Sequence, residues 1–345
     1  MPGVTHLTVG EDEAEQRLDR FLRRHYPQLG QIRIEKMCRK GELRVDGARA
    51  KPATRLEPGQ KVRVPPFPDE EAERPAREPR RISEADAEMI RACVLYRDDH
   101  LIALDKPAGL ATQGGEGQER HVVLLAEALK FGKEDAPKLV HRLDKDTSGV
   151  LLLARTGRAA AALARAFQAK TTEKTYWAAV AGSPKLKQAT IRFGLVKAGP
   201  KGAEKMRCIH PNEVDATEGA KRAVTDYAVI ETIGKRAAWV ALRPVTGRTH
   251  QLRAHMAEIG HPVVGDGKYG GNATTNEGDG WGAQLGGEVS RKLHLHARRI
   301  AFPHPLEPGR RLVITAPLPA HMAKTWAMFG WRAEDAPEDP FEEET

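Results

Sequence analysis

The chain has 345 residues, 30% of them charged, with a formal net charge of +8; the length implies one domain of ordinary size and one small one, and the charge favours a polyanionic partner, nucleic acid before an anionic membrane. No apolar run approaches the roughly 18 to 20 residues of a membrane span, and the first residues lack a basic-then-apolar leader, so a cytoplasmic monomer without a membrane partner is expected. Cys38, Cys93 and Cys208 share no paired spacing, which argues against a disulfide framework or a cysteine zinc site and makes each a small buried hydrophobe.

Residues 1 to 65 read as a compact α/β module. Leu18, Phe21 and Leu22 recur at helical spacing, and Ile34, Met37 and Cys38 repeat the pattern before Gly41 closes a second helix. Leu43-Arg44-Val45 then meets a turn at Asp46-Gly47, and Lys61-Val62-Arg63-Val64 alternates as a half-exposed strand does. Fourteen Lys/Arg stand against nine Asp/Glu in this segment, and Arg33, Lys36 and Lys40 share one arc of the second helix. The pattern alone leaves a solvated basic face and an RNA-binding face equally open. Arg17-Leu18-Asp19-Arg20-Phe21-Leu22, then Arg39 to Gly47, then Leu56-Glu57-Pro58-Gly59-Gln60 resemble an S4-type RNA-binding module. That resemblance implies RNA contact through Arg33, Lys36, Arg39, Lys40 and Arg44.

Residues 66 to 92 mix Pro, Glu, Arg and Ala and are expected to form a linker, with a short helix at 83 to 91. The second domain is expected from 93 to 333. Val94-Leu95-Tyr96 and Leu101-Ile102-Ala103-Leu104 flank the Asp98-Asp99 turn as a hairpin, which Asp105-Lys106-Pro107-Ala108-Gly109 breaks into a loop. Residues 158 to 170 form an Ala-rich helix with Leu163 and Phe167 on one side, and residues 174 to 180 a strand. A further strand, Trp239 to Leu242, leads through Val245-Thr246-Gly247-Arg248-Thr249 to a helix with Leu252, Met256 and Ile259 on one face, Arg253 in its first turn and Gly260 as its stop. Residues 270 to 287 are expected to be a long loop rather than a cofactor cradle. The tail from Glu334, with seven acids and no base, is expected to be disordered and away from RNA.

The densest cluster of chemical groups is His141-Arg142-Leu143-Asp144-Lys145-Asp146-Thr147-Ser148-Gly149, a charged loop running into the apolar strand Val150 to Ala154. Polar side chains on a loop pinned to a buried strand suit catalysis. Asp144, Asp146, Ser148 and Gly149 fit the first half of a calcium loop, but its twelfth position is Arg155, where a bidentate Glu is required. A phosphoryl-aspartate pump would need membrane spans. A serine nucleophile at Ser148 would need the strand before the motif, not after it. What remains is Asp144, ionised at neutral pH with Arg142 and Lys145 nearby. The residues leave open whether it reacts or only holds the loop in a salt bridge.

His141-Arg142-Leu143-Asp144-x-x-Thr147-Ser148-Gly149 resembles the central motif of the pseudouridine synthase family that contains the bacterial large-subunit and mixed-specificity enzymes. Asp105-Lys106-Pro107-Ala108-Gly109-Leu110, Lys174-Thr175-Tyr176, and Val245 to Arg253 match in the same order. The resemblance implies an α+β fold: a mixed, largely antiparallel β-sheet catalytic domain with flanking helices behind the small S4-like domain. It implies a cofactor-independent isomerase of uridine in RNA, 23S rRNA first and tRNA as a possibility, with no metal. It makes Asp144 the catalytic aspartate, with Tyr176 stacking on uracil or taking the C5 proton, and Arg253 pairing with Asp144. Arg142 would fill the gap left by a flipped uridine, and Lys174, Arg248 and Leu252 would line the substrate site. His141 and His250 are read as loop or cap hydrogen-bonders rather than bases, and Tyr176 could simply line the core. Gln113 departs from the family's usual histidine. The competing expectations are a non-catalytic RNA-binding or ribosome-assembly factor, and a glycosidase-like hydrolase that releases uracil.

Overall fold

A computed structural model describes residues 3–67, 82–115, 118–199, 205–270 and 289–342. Most of the expected linker, the glycine-rich loop from residue 271 onward, and residues 343–345 of the tail lie outside those residues.

The N-terminal module is a four-stranded antiparallel sheet, β1 (Thr5–Thr8), β2 (Arg44–Val45), β3 (Ala48–Arg49) and β4 (Lys61–Val64), in the order β1-β4-β2-β3. Helices α1 (Leu18–His25) and α2 (Gln31–Lys40) pack on it through Leu18, Phe21, Leu22, Ile34 and Met37, which meet Leu43, Leu56 and Val62. The predicted stop of α2 is explained by Gly41, left-handed at φ +71°, whose N–H bonds back to Cys38. Cys38 is buried here, while Cys93 and Cys208 are only half-buried, and all three thiols are free.

The larger domain is built on an eleven-stranded sheet. Across it run β11 (Lys205–Ile209), β10 (Gln188–Ala198), β12 (Lys221–Ile233), β13 (Ala237–Pro244), β9 (Glu173–Ala181), β14 (Leu295–Pro303), β8 (Ser148–Ala154), β6 (Leu101–Lys106) and β5 (Val94–Arg97), while β15 (Arg311–Thr315) pairs with β14 and β7 (Lys138–Leu139) with β8. All pairs are antiparallel except β14 with β8.

Strand alternation sorts the side chains onto the two faces. On β8, Leu151 and Leu153 face one core with Ile90 and with Leu125 of α4 (Val122–Leu125), whereas Val150, Leu152 and Ala154 face another with Ala159 and Leu163 of α5 (Gly157–Gln168). On β13, Trp239 packs with Trp326 of α7 (Ala320–Phe329), and Val240 and Leu242 pack with Leu252 and Met256 of α6 (Gln251–Glu258). The hydrophobic central strands are thus covered on both sides.

Several expectations need correcting. The helix assigned to the linker, α3 (Glu84–Ala92), buries Ile90 against Ile102 and Leu104 and so belongs to the core of the larger domain. Ser148 and Gly149 are not loop residues but the buried start of β8. The close parallel neighbour β14 explains this: a Cβ on Gly149, which sits at φ +104°, would lie 2.3 Å from the Ala297 carbonyl oxygen. The tail is ordered through residue 342, because Phe341 packs with Trp331, takes the Arg243 guanidinium over its ring at 4.2 Å, and accepts a bond from Gln188 Nε2 at 2.9 Å. One aromatic anchor outweighs the solvated acids around it. Residues 188 to 233, to which the periodicity assigned no strand, supply β10, β11 and β12; charged residues on their exposed positions disguise them.

Candidate active site

Asp144 lies in a cleft of about 930 Å³ between the loop before β8, the edge of β9 and the segment from β13 into α6. The cleft brings together all seven of the cleft residues foreseen from the sequence: Arg142, Asp144, Lys174, Tyr176, Arg248, Leu252 and Arg253. Six Lys/Arg against two carboxylates line it, a field suited to a phosphate backbone. A second cleft of about 800 Å³ on the other side of the loop shares Arg142, Asp144 and Arg253 with it and adds Lys145, Lys268 and Lys292.

The Asp144 loop is fixed from below by Lys106, whose side chain is fully buried. Its Nζ donates to the carbonyls of Pro107, Leu110 and Lys145 at 2.9, 2.8 and 3.0 Å. Burial pushes its pKa down to about 8, partly offset by Asp146, Asp144 and Asp105, which leaves an ammonium at neutral pH with a proton for each carbonyl. Thr112 Oγ1 donates to the Leu143 carbonyl at 2.6 Å, and the Thr147 N–H donates to the Asp144 carbonyl at 3.2 Å. His141 Nε2 accepts the Leu152 N–H at 2.9 Å, and burial followed by the Lys174 charge drives its pKa to about 3. His141 is thus a neutral hydrogen-bond acceptor. Ser148 is sealed in the sheet with Oγ 2.9 Å from His296 Nδ1, out of reach of a cleft substrate.

Arg253 does not pair first with Asp144. Its Nε and Nη2 donate to Asp266 at 2.7 and 2.8 Å, while Nη1 stands 3.7 Å from Asp144 Oδ2. Asp266, with no exposed side-chain surface, also accepts the N–H groups of Lys268 and Tyr269. The bidentate pair holds the guanidinium so that its remaining edge faces Asp144. Burial lowers the Arg253 pKa, but the Asp266 bond and charge outweigh it and leave it raised.

The turn into α6 is held by buried Gln251. Its Oε1 accepts from Thr246 Oγ1 and the Arg248 N–H, and its Nε2 donates to Val224 O and Thr225 Oγ1. Arg248 reaches back to the Arg222 carbonyl at 3.3 Å, and Leu252 spans cleft and core. Tyr176 is half-buried on β9, and burial together with the Asp144 charge raises its pKa well above the ordinary phenol range, so its hydroxyl is protonated at neutral pH. Lys174, its pKa lowered by burial, lies 5.9 Å from the centre of the Phe167 ring. Arg142 is exposed at the mouth of the cleft. Sequence reasoning missed Lys106, Gln251, Asp266 and Tyr269 as parts of this site. The first two lay inside quoted motifs, and Asp266, directly after the apolar Val263-Val264-Gly265 segment, is the kind of buried acid that demands a partner.

On the N-terminal module, Lys36, Arg39, Lys40 and Arg44 are exposed and Arg33 lies 5.7 Å from the centre of the Phe67 ring. Lys40 is 3.6 Å from Glu42, and Arg44 donates to the carbonyls of Gly41 and Gly47.

Residues 100–258 match the family model for RNA pseudouridylate synthase. The chain is similar to the ribosomal large subunit pseudouridine synthase C of Vibrio cholerae serotype O1, 37% identical over 92% of this chain and 95% of that protein. It is 35% identical to the protein of the same name from Escherichia coli K12, over 92% and 94% of the two chains. Among solved structures, human RNA pseudouridylate synthase domain containing 4 superposes with a TM-score of 0.57 at 27% identity, covering 71% of this chain and 95% of that one.

Proposed function

Because the chain belongs to the RNA pseudouridylate synthase family and is an isomerase acting on RNA, we propose that its substrate is a uridine of the large-subunit ribosomal RNA, 23S in bacteria, modified by Asp144 in the cytoplasm by a monomeric enzyme. The single observation that supports this reading best is the position of Asp144. Its carboxylate faces a basic cleft on a loop held rigid from beneath by Lys106, with Arg253 aimed at it by Asp266.

Isomerisation breaks the bond from ribose C1′ to uracil N1 and forms one from C1′ to C5. The C5 proton is lost and N1 gains one, so no electron carrier is required. Asp144 would assist departure of N1 at the sugar, and the cleft would retain the uracil while it turns. Tyr176 stacks on the ring; because its raised pKa keeps the hydroxyl protonated, the C5 proton passes to water in the cleft rather than to a Tyr176 phenolate. Arg142, exposed on the same loop, occupies the stack vacated by the flipped nucleotide, a step that costs a few kcal/mol in paired RNA and less in a single strand.

Asp144→Asn should abolish pseudouridine formation in uridine-labelled large-subunit RNA while leaving RNA affinity within a few-fold. Appreciable residual product would remove Asp144 from the chemistry. Wild-type protein that binds the RNA but makes no pseudouridine would favour an assembly factor, release of free uracil a hydrolase, and modification of tRNA in place of rRNA a different target.

A further inference from the structure

Resting on the reading of Asp144 as the reacting carboxylate, we infer that His250 is a positioning residue: a neutral imidazole whose Nε2–H is presented to Asp144 by Tyr269.

The geometry has four linked parts. His250 Nε2 stands 3.9 Å from Asp144 Oδ2, the same oxygen that Arg253 Nη1 approaches at 3.7 Å. Its other nitrogen, Nδ1, lies 2.9 Å from Tyr269 Oη. That hydroxyl already accepts the N–H of Met206, on β11, at 2.8 Å, so the phenol proton is available to Nδ1. Last, His250 is held at φ +51°, a conformation that non-glycine residues rarely adopt, at the entry to α6. Backbone strain of this kind persists where surrounding structure over-determines it, typically at functional sites.

The tautomer follows from electrostatics. With Nδ1 protonated, the bare lone pair of Nε2 would point at a carboxylate, which is repulsive. With the proton on Nε2, a donor faces the carboxylate, and Tyr269 supplies the bond to Nδ1. Burial lowers the pKa of His250, opposed by Asp144 and reinforced by Arg253, which agrees with a neutral ring. The charged and titratable groups around Asp144 and His250 include Arg253 from α6, Tyr176 from β9, Lys106 from β6, Arg142, Lys145 and Asp146 on the loop itself, and Tyr269, Asp266 and Lys268 behind them. Tyr269 serves twice, since its ring also carries the Arg253 guanidinium at 5.2 Å. Neither donor is at hydrogen-bond distance in the free enzyme, so both can close on Oδ2 as charge shifts in the reaction without holding it beforehand.

Three variants of the full chain and one spectrum test this. His250→Gly relieves the backbone and removes the donor; it should lower kcat by about 100-fold with KM for RNA unchanged. Added imidazole should restore part of that loss, as should His250→Asn, which keeps an N–H and tolerates positive φ. Tyr269→Phe keeps the ring and frees the tautomer, and should lower kcat by about 10-fold. In 15N-histidine spectra of the wild type, His250 should show a bare Nδ1 and a protonated Nε2, a result that does not depend on which RNA is modified. Wild-type kcat in His250→Gly, loss of RNA affinity in proportion to kcat, absence of imidazole rescue, or a spectrum with the proton on Nδ1 would each overturn the inference. Failure to find any pseudouridine product with wild type would instead overturn the function.

Discussion

Lys106 illustrates how a single buried charge organises a loop. Its ammonium holds three carbonyls at once, and methionine in its place would fill the volume but leave all three without a donor. Each buried unsatisfied acceptor costs about 1–3 kcal/mol, so Lys106→Met should lower the urea midpoint clearly and slow turnover, because the Asp144 loop loses its floor. Wild-type values of both would mean that the carbonyls find water. Gly149 sets a sterner limit. Alanine there meets the Ala297 carbonyl at 2.3 Å in a left-handed backbone, so Gly149→Ala should yield little folded protein, measured as soluble yield and thermal midpoint. Both residues stood in recognisable motifs, but the distant partner of each, the Lys145 carbonyl 39 residues away in one case and a strand 148 residues away in the other, is a product of the fold.

At the scale of elements, the strand into which the charged loop runs was legible because Val150 to Ala154 is uninterruptedly apolar and flanked by polar residues. The helix behind Arg253 was legible for the complementary reason, a stripe at spacings of four and three. Strands β10 to β12 were not, since Lys, Arg and Glu at their exposed positions break up the apolar pattern, although one face of β10 and β12 packs on α6. The tail was misjudged because composition counts acids and overlooks one ring. Phe341→Ala should cost about 3 kcal/mol in thermal or chemical unfolding, as the ring leaves both Trp331 and the Arg243 guanidinium. A change near zero would return the tail to the solvent.

For the molecule as a whole, the buried histidines make stability depend on pH. Burial brings His255, His294 and His296 to about 4 and His141 to about 3, against an ordinary value of 6.5. The unfolded chain therefore binds protons between pH 6.5 and 4 that the native state refuses. Their contribution is complete above pH 6.5 and is lost as pH falls toward 4, at about 1.4 kcal/mol per pH unit for each ring. The thermal midpoint should fall steeply from pH 6.5 to 5; a flat profile would mean that these rings charge inside the fold. The N-terminal module meets the catalytic domain through exposed ion pairs, Arg165 with Glu15 and Arg24 with Asp135, which hold weakly and loosen with salt. If its basic helix binds RNA, the double substitution Lys36→Gln with Arg39→Gln should flatten the salt dependence of RNA affinity by about 0.7–0.9 per lost phosphate contact. An unchanged slope would assign the module another task.

The sequence by itself determined the two-part organisation, the central strands and helices, and the aspartate with most of the side chains that share its cleft, because apolar periodicity and clustered charge are local properties of the chain. Only the tertiary structure decided what fixes them in place. Arg253 is aimed by Asp266, His250 is turned by Tyr269, and the Asp144 loop rests on Lys106. Those bonds join residues from separate strands and turns, and their partners are chosen by distance and desolvation in three dimensions, which no spacing along the chain records.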